Sequence, residues 1–85
     1  MANYKVTLKQ SAVKELEQLP QPDLSRVTTR IGALSTDPHP PGCEKLSGQE
    51  RYRIRQGNYR ILYEIIDIDR VITIVKIGHR RDVYR

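Results

Sequence analysis

Tyr52-Arg53-Ile54-Arg55-Gln56-Gly57-Asn58-Tyr59-Arg60-Ile61-Leu62-Tyr63-Glu64 decides the fold of this 85-residue chain. Apolar and basic residues alternate with a period of two, the pattern of a strand with one buried face. Gly57-Asn58 interrupts the pattern at a turn. A two-residue loop there sets Arg55 opposite Arg60, Ile54 opposite Ile61, Tyr52 opposite Tyr63 and Arg51 opposite Glu64. Aliphatic then meets aliphatic, aromatic meets aromatic, and one end pair is an ion pair. A three-residue loop would oppose Arg55 to Tyr59 and Arg53 to Ile61, mixing the faces. One face of this hairpin is therefore expected to pack on helices, with Arg53, Arg55 and Arg60 together on the other. Opposed arginines repel, so a ligand is expected to supply the missing negative charge.

On the C-terminal side, Asp67-Ile68-Asp69-Arg70 reads as a turn and Val71 to Ile77 as an interior strand ended by Gly78. The tail is His79-Arg80-Arg81-Asp82-Val83-Tyr84-Arg85. On the N-terminal side, Asp37-Pro38-His39-Pro40-Pro41-Gly42 holds three prolines and is a stiff crossover. His39 reads as a surface residue and Cys43 as a buried structural thiol. Earlier, Tyr4 to Leu8 alternates as a first strand. Lys9 to Leu19 carries a helical stripe of Ala12, Val13, Leu16 and Leu19, stopped by Pro20. Leu24, Val27, Ile31 and Leu34 mark a second helix, with Pro22 and Asp23 suited to its first turn. The expected fold is α+β in the order β-α-α-β-β-β. It comprises an antiparallel twisted sheet with a two-helix hairpin on one face, as a single domain over residues 1–85.

Charge is segregated. Residues 1–50 hold six basic and six acidic side chains, whereas residues 51–85 hold nine basic and four acidic and so carry the whole net charge of +5. Four of the five tyrosines share that basic part, and there is no Phe or Trp. Arginines interleaved with tyrosines suit a nucleic-acid backbone and its bases. A lone cysteine fits a reducing compartment. The opening residues lack the apolar core of a secretory signal, and no apolar run approaches the ~20 residues that span a bilayer. A cytoplasmic protein with no membrane partner is expected.

No phosphate-binding glycine loop, CxxC, HExxH or recognisable Ser/His/Asp set is present, and no cofactor or metal ion is expected. Arg53, Arg55, Arg60, Arg80, Arg81, His79 and Tyr84 are the types needed for cleavage of RNA by its own 2′-hydroxyl. Guanidinium groups neutralise the phosphorane, while other side chains move protons. Imidazole changes charge near neutrality, which makes His79 a candidate for proton transfer beside Tyr84. Tyr59, at the turn, suits either packing or stacking on a base. Tyr52 and Tyr63 read as core.

The chain resembles toxins of the RelE/ParE superfamily. The residues that carry the likeness are Lys45-Leu46-Ser47-Gly48, the run from Tyr52 to Ile65, and Lys76-Ile77-Gly78-His79-Arg80-Arg81-Asp82-Val83-Tyr84. The resemblance implies an mRNA interferase that enters the A site of the 30S ribosomal subunit and cuts the bound codon without metal. It also implies a RelB-type antitoxin, through which alone the toxin reaches promoter DNA. Family roles would fall on Arg53, Arg55, Arg60, Arg80 and Tyr84, with His79 resembling a proton-transfer histidine of other branches. Lys45, Arg51, Tyr59, Arg81 and Arg85 would contact the remaining RNA. Three departures stand out: arginine replaces lysine at positions 53 and 55, the segment from Gly78 to Tyr84 is shorter than in some members so that spacing does not separate Arg80 from Arg81, and the chain stops one residue after Tyr84. The other expected activities are a ParE-like inhibitor of DNA gyrase and a non-catalytic ribosome- or RNA-binding module.

Overall fold

The structure, a computed structural model, describes residues 3–46 and 50–82. The chain runs β1 (Lys5–Leu8), α1 (Gln10–Glu17), α2 (Asp23–Ala33), β2 (Glu44–Lys45), β3 (Arg51–Gln56), β4 (Tyr59–Ile66) and β5 (Val71–His79). The α+β class, the helix pair and the order of the four expected strands match the sequence reading. Among the described residues the sheet has five strands in the order β1-β5-β4-β3-β2. It is mixed rather than antiparallel throughout, because β1 joins the edge parallel to β5, with Lys5 beside Val71 and Leu8 beside Ile74. Strand β2 is an addition. Its two residues pair Glu44 with Arg53 and Lys45 with Tyr52, and are too few to show a period. No helix among the described residues is long and apolar enough to cross a membrane.

The β3–β4 register is the one read from the turn: Arg55 opposes Arg60, Ile54 opposes Ile61, Tyr52 opposes Tyr63 and Arg51 opposes Glu64. Gly57 has φ +59° while Asn58 stays out of the left-handed region, the φ pattern of a type II′ turn. Helix α1 ends at Glu17, short of Leu19, because Pro20 disfavours helical geometry in the residue before it. Val13 lies outside the buried stripe and is 37% exposed.

The core lies between the helix pair and one sheet face. Ala12, Val27, Ile31 and Leu34 meet Ile54, Ile61, Tyr63, Ile65, Ile72, Ile74 and Ile77. A bulge shifts the β4–β5 register, so that Leu62 opposes Lys76 but Tyr63 opposes Ile74. Val75 is the extra residue. The bulge explains why β5 looks apolar on both faces in sequence: Ile74 and Ile77 both reach the core although they are three apart. Beyond Ile74 the outer edge of β5 outruns β1. There the Ile77 N–H donates to Glu15 Oε1 at 3.0 Å, so α1 supplies the acceptor that a neighbouring strand would have given.

Tyr63 is fully buried, and its hydroxyl donates to the Pro38 carbonyl at 2.7 Å and lies 3.1 Å from Cys43 Sγ. Its ring stacks on Tyr52, which meets His39 edge-on. This phenol anchors the proline crossover to the sheet. Burial, then the contact with Cys43, raises its pKa far above that of a free phenol. The folded state thus favours the neutral phenol. The resulting stabilisation is complete below the ordinary tyrosine pKa of about 10 and is lost as pH rises beyond it. Tyr63→Phe, measured by urea denaturation at pH 7, is expected to cost about 1–2 kcal/mol through the orphaned carbonyl. The same variant should lose less stability than the parent between pH 9 and 11.

Candidate functional site

Alternation along β3 and β4 puts Arg51, Arg53 and Arg55 on the sheet face away from the helices, with Arg60, Leu62 and Glu64 opposite them. The β5 register adds Lys76 beside Leu62 and Gly78 beside Arg60. Past β5, the Arg80 N–H donates to the Asn58 carbonyl at 2.8 Å, which holds the start of the tail against the hairpin tip. The Arg60 guanidinium donates from Nη1 to the carbonyls of Tyr59 at 3.1 Å and Gly57 at 3.4 Å. Its pKa is lowered first by burial and then by the charges of Arg55, Arg53 and Arg80, and Glu44 opposes that lowering. Four guanidinium groups therefore share one electrostatic neighbourhood. Arginine remains charged at neutral pH, so the cluster is a standing demand for an anion.

Glu44 answers part of that demand. Its Oε2 lies 2.6 Å from Arg53 Nη2 and its Oε1 lies 3.8 Å from Arg55 Nη2. At the far end of the hairpin, Arg51 Nε meets Glu64 Oε2 at 3.0 Å, the ion pair expected from the register. Arg51 is thereby engaged away from Arg60.

The remaining candidates divide. His79 opposes Tyr59 on the helix-side face, and the two rings meet edge to face at 5.9 Å. His79 Nδ1 accepts the Arg81 N–H at 3.2 Å, so a neutral ring carries its hydrogen on Nε2. The register thus separates His79 from the arginine face. Tyr59 is half-buried and packs against the core. Lys45 pairs with Tyr52 on the helix-side face and its ammonium meets Glu50 at 3.4 Å. Arg81 is exposed just past the arginine face. Tyr84 and Arg85 lie outside the described residues.

Three neighbours of the arginines were not singled out by sequence reading. Leu62, 7% exposed, forms an apolar floor between Arg53 and Lys76. Lys76 reaches this face only because of the bulge at Val75. Glu44 reaches it only through the two-residue strand β2. Strict alternation offered no signal for either.

The sequence pattern of the family described as "ParE toxin of type II toxin-antitoxin system, parDE" matches residues 6–84. Toxin RelG of Mycobacterium tuberculosis is 34% identical over 96% of this chain and 97% of its own length. The archaeal RelE–RelB complex of Pyrococcus horikoshii contains a chain that superposes with a TM-score of 0.84 at 31% identity, covering 95% of this chain and 99% of that one. The toxin–antitoxin complex RelBE2 of Mycobacterium tuberculosis gives a TM-score of 0.82 at 30% identity, covering 96% and 97%. With a family pattern over nearly its whole length and the fold of these toxins, the chain belongs to the RelE/ParE superfamily of type II toxin–antitoxin toxins.

Proposed function

We propose that this toxin is a ribosome-dependent endoribonuclease that cuts mRNA in the A site and so halts translation. The observation that carries this reading is the convergence of Arg53, Arg55 and Arg60 on one sheet face, with Arg80 close enough to depress the Arg60 pKa. Such a cluster is built for a phosphodiester. The 2′-hydroxyl attacks the adjacent phosphate, the phosphorane gains charge, and guanidinium donors fixed by strand and turn stabilise it without reorganising. Arg60 and Arg80 take the phosphate, while Arg53 and Arg55 orient it. The product is a 2′,3′-cyclic phosphate or the 3′-phosphate opened from it, with no metal ion in the reaction.

The similar structures are complexes of RelE-type toxins with RelB. A RelB-type antitoxin is accordingly the proposed protein partner, with promoter DNA reached only through that complex. An acidic partner would also relieve the repulsion among the four arginines.

The match to the ParE pattern favours a second reading, inhibition of DNA gyrase by protein binding. That activity does not need clustered guanidinium groups, so one variant separates the two. Arg60→Ala is expected to slow cleavage of mRNA on programmed ribosomes by about 10²–10³-fold, mapped by 5′ ends. Cleavage at the parent rate would overturn the site. Supercoiling by gyrase should be untouched by the parent toxin, and inhibition there with intact mRNA would establish the ParE-like reading instead. Binding to ribosomes without cleavage, weakening by about one logarithmic unit per phosphate contact per tenfold rise in salt, would mark a non-catalytic module.

A further inference from the structure

We propose that Lys76 forms a second phosphate-binding subsite on the arginine face, taking the RNA phosphate next to the one that is cut. The inference rests on the endoribonuclease reading above. It adds to that reading a residue that grips the substrate away from the reacting atoms.

Lys76 owes its position to the bulge. Continued without a break from Tyr63 opposite Ile74, the ladder would set Lys76 opposite Ile61, which is completely buried against the helices. An ammonium there would lose its water without gaining a partner. The inserted Val75 moves Lys76 opposite Leu62 instead and sends Ile77 to the core. Bulges recur beside functional sites because one extra residue re-aims the side chains around it. Here the re-aimed group is a cation, and the face that receives it already carries Arg53, Arg55 and Arg60.

The surroundings of Lys76 narrow what it binds. The row across the sheet reads Glu44, Arg53, Leu62, Lys76. The carboxylates of this face are engaged elsewhere, Glu44 by Arg53 and Arg55 and Glu64 by Arg51. Among the described residues Lys76 has no ion-pair partner. It is half-buried, with apolar Leu62 opposite it, and a cation so placed is screened less than one in open water. An anion from outside the chain fits that place.

A phosphodiester fits it by distance. Gly78 follows Lys76 on the same face of β5 and lies opposite Arg60, one of the groups assigned to the scissile phosphate. Two residues of strand rise separate Lys76 from Gly78 by roughly 7 Å, comparable to the step between neighbouring phosphates of an extended RNA strand. Gly78 sets no side chain in the way. RNA leaving the Arg60–Arg80 end can therefore cross Gly78 and bring its next phosphate to the ammonium. Lysine suits such a grip: it is a point charge on a flexible stem, whereas the rigid fork of arginine suits the reacting phosphate.

The test is single-turnover cleavage of mRNA on programmed ribosomes by the full chain, with the saturated rate and the half-saturating toxin concentration read separately. Lys76→Met keeps an unbranched stem and removes the charge. It should raise half-saturation about 3–10-fold and leave the saturated rate within about twofold of the parent, as loss of uniform binding requires. Lys76→Arg returns the charge and should return half-saturation to the parent value. An mRNA with a neutral methylphosphonate in place of the phosphate 5′ or 3′ of the scissile one locates the contact. On one of these two substrates Lys76→Met and the parent should behave alike, because the partner is already gone. Parent-like half-saturation in Lys76→Met would overturn the proposal and leave the nuclease reading intact. So would a loss that persists undiminished on both substrates, a loss that Lys76→Arg fails to repair, or a fall confined to the saturated rate. Absence of cleavage by the parent would overturn the nuclease reading and this proposal with it.

Discussion

The opposed pair Arg55–Arg60 is the contact on which the arginine face depends, and it is held in place by forces on the opposite side of the sheet. Directly opposed like charges cost about 0.2–1 kcal/mol. The residues beside them, Ile54 and Ile61, are completely buried against the helices, and burying each such side chain is worth about 1.5–3 kcal/mol. Core burial therefore wins the contest over register. A slip of one residue would relieve the arginines but expose Ile54, Tyr63 and their neighbours. The protein thus keeps four guanidinium groups near one another by fixing the hairpin through its apolar face.

Two small irregularities then shape what surrounds those arginines. The bulge at Val75 changes which β5 side chains reach the helices. It sends Ile77 to the core, aligns Lys76 and Gly78 with the arginine face, and turns His79 toward Tyr59. The two-residue strand β2 brings Glu44 to Arg53 from the other edge. Between them the open face acquires an ammonium and a carboxylate, and loses an imidazole. The helices take no direct part in this face. Their role is to bury the opposite one, and through Glu15 to satisfy the Ile77 N–H where β5 outruns its neighbour.

The proline crossover is part of the same construction. Pro38, Pro40 and Pro41 cannot donate to a sheet, so the segment is tied down instead by the buried Tyr63 hydroxyl. That bond lies close to Cys43, the residue before β2, and the 3.1 Å contact between Cys43 and Tyr63 links the crossover to the strand that presents Glu44. A phenol in the core thus helps to locate a carboxylate on the far side of the sheet. Membership of the RelE/ParE superfamily establishes the scaffold, while the chemistry carried on it depends on which side chains these local devices bring together.

The sequence by itself determined the hairpin register, the helix pair and the arginine cluster. Each is a local matter: a glycine turn of two residues, a period of two, a period of 3.6 and prolines between them. It also determined that Tyr52 and Tyr63 are core, since that follows from the same alternation. Only the tertiary structure decided that β1 lies parallel to β5, because the partner of an edge strand is chosen by how distant elements pack. The same holds for Glu44, whose strand is too short to have a period, and for His79 and Lys76, whose faces were set by one inserted residue. Alternation predicts a side chain's direction only while the ladder is regular, and here the departures from regularity lie beside the site.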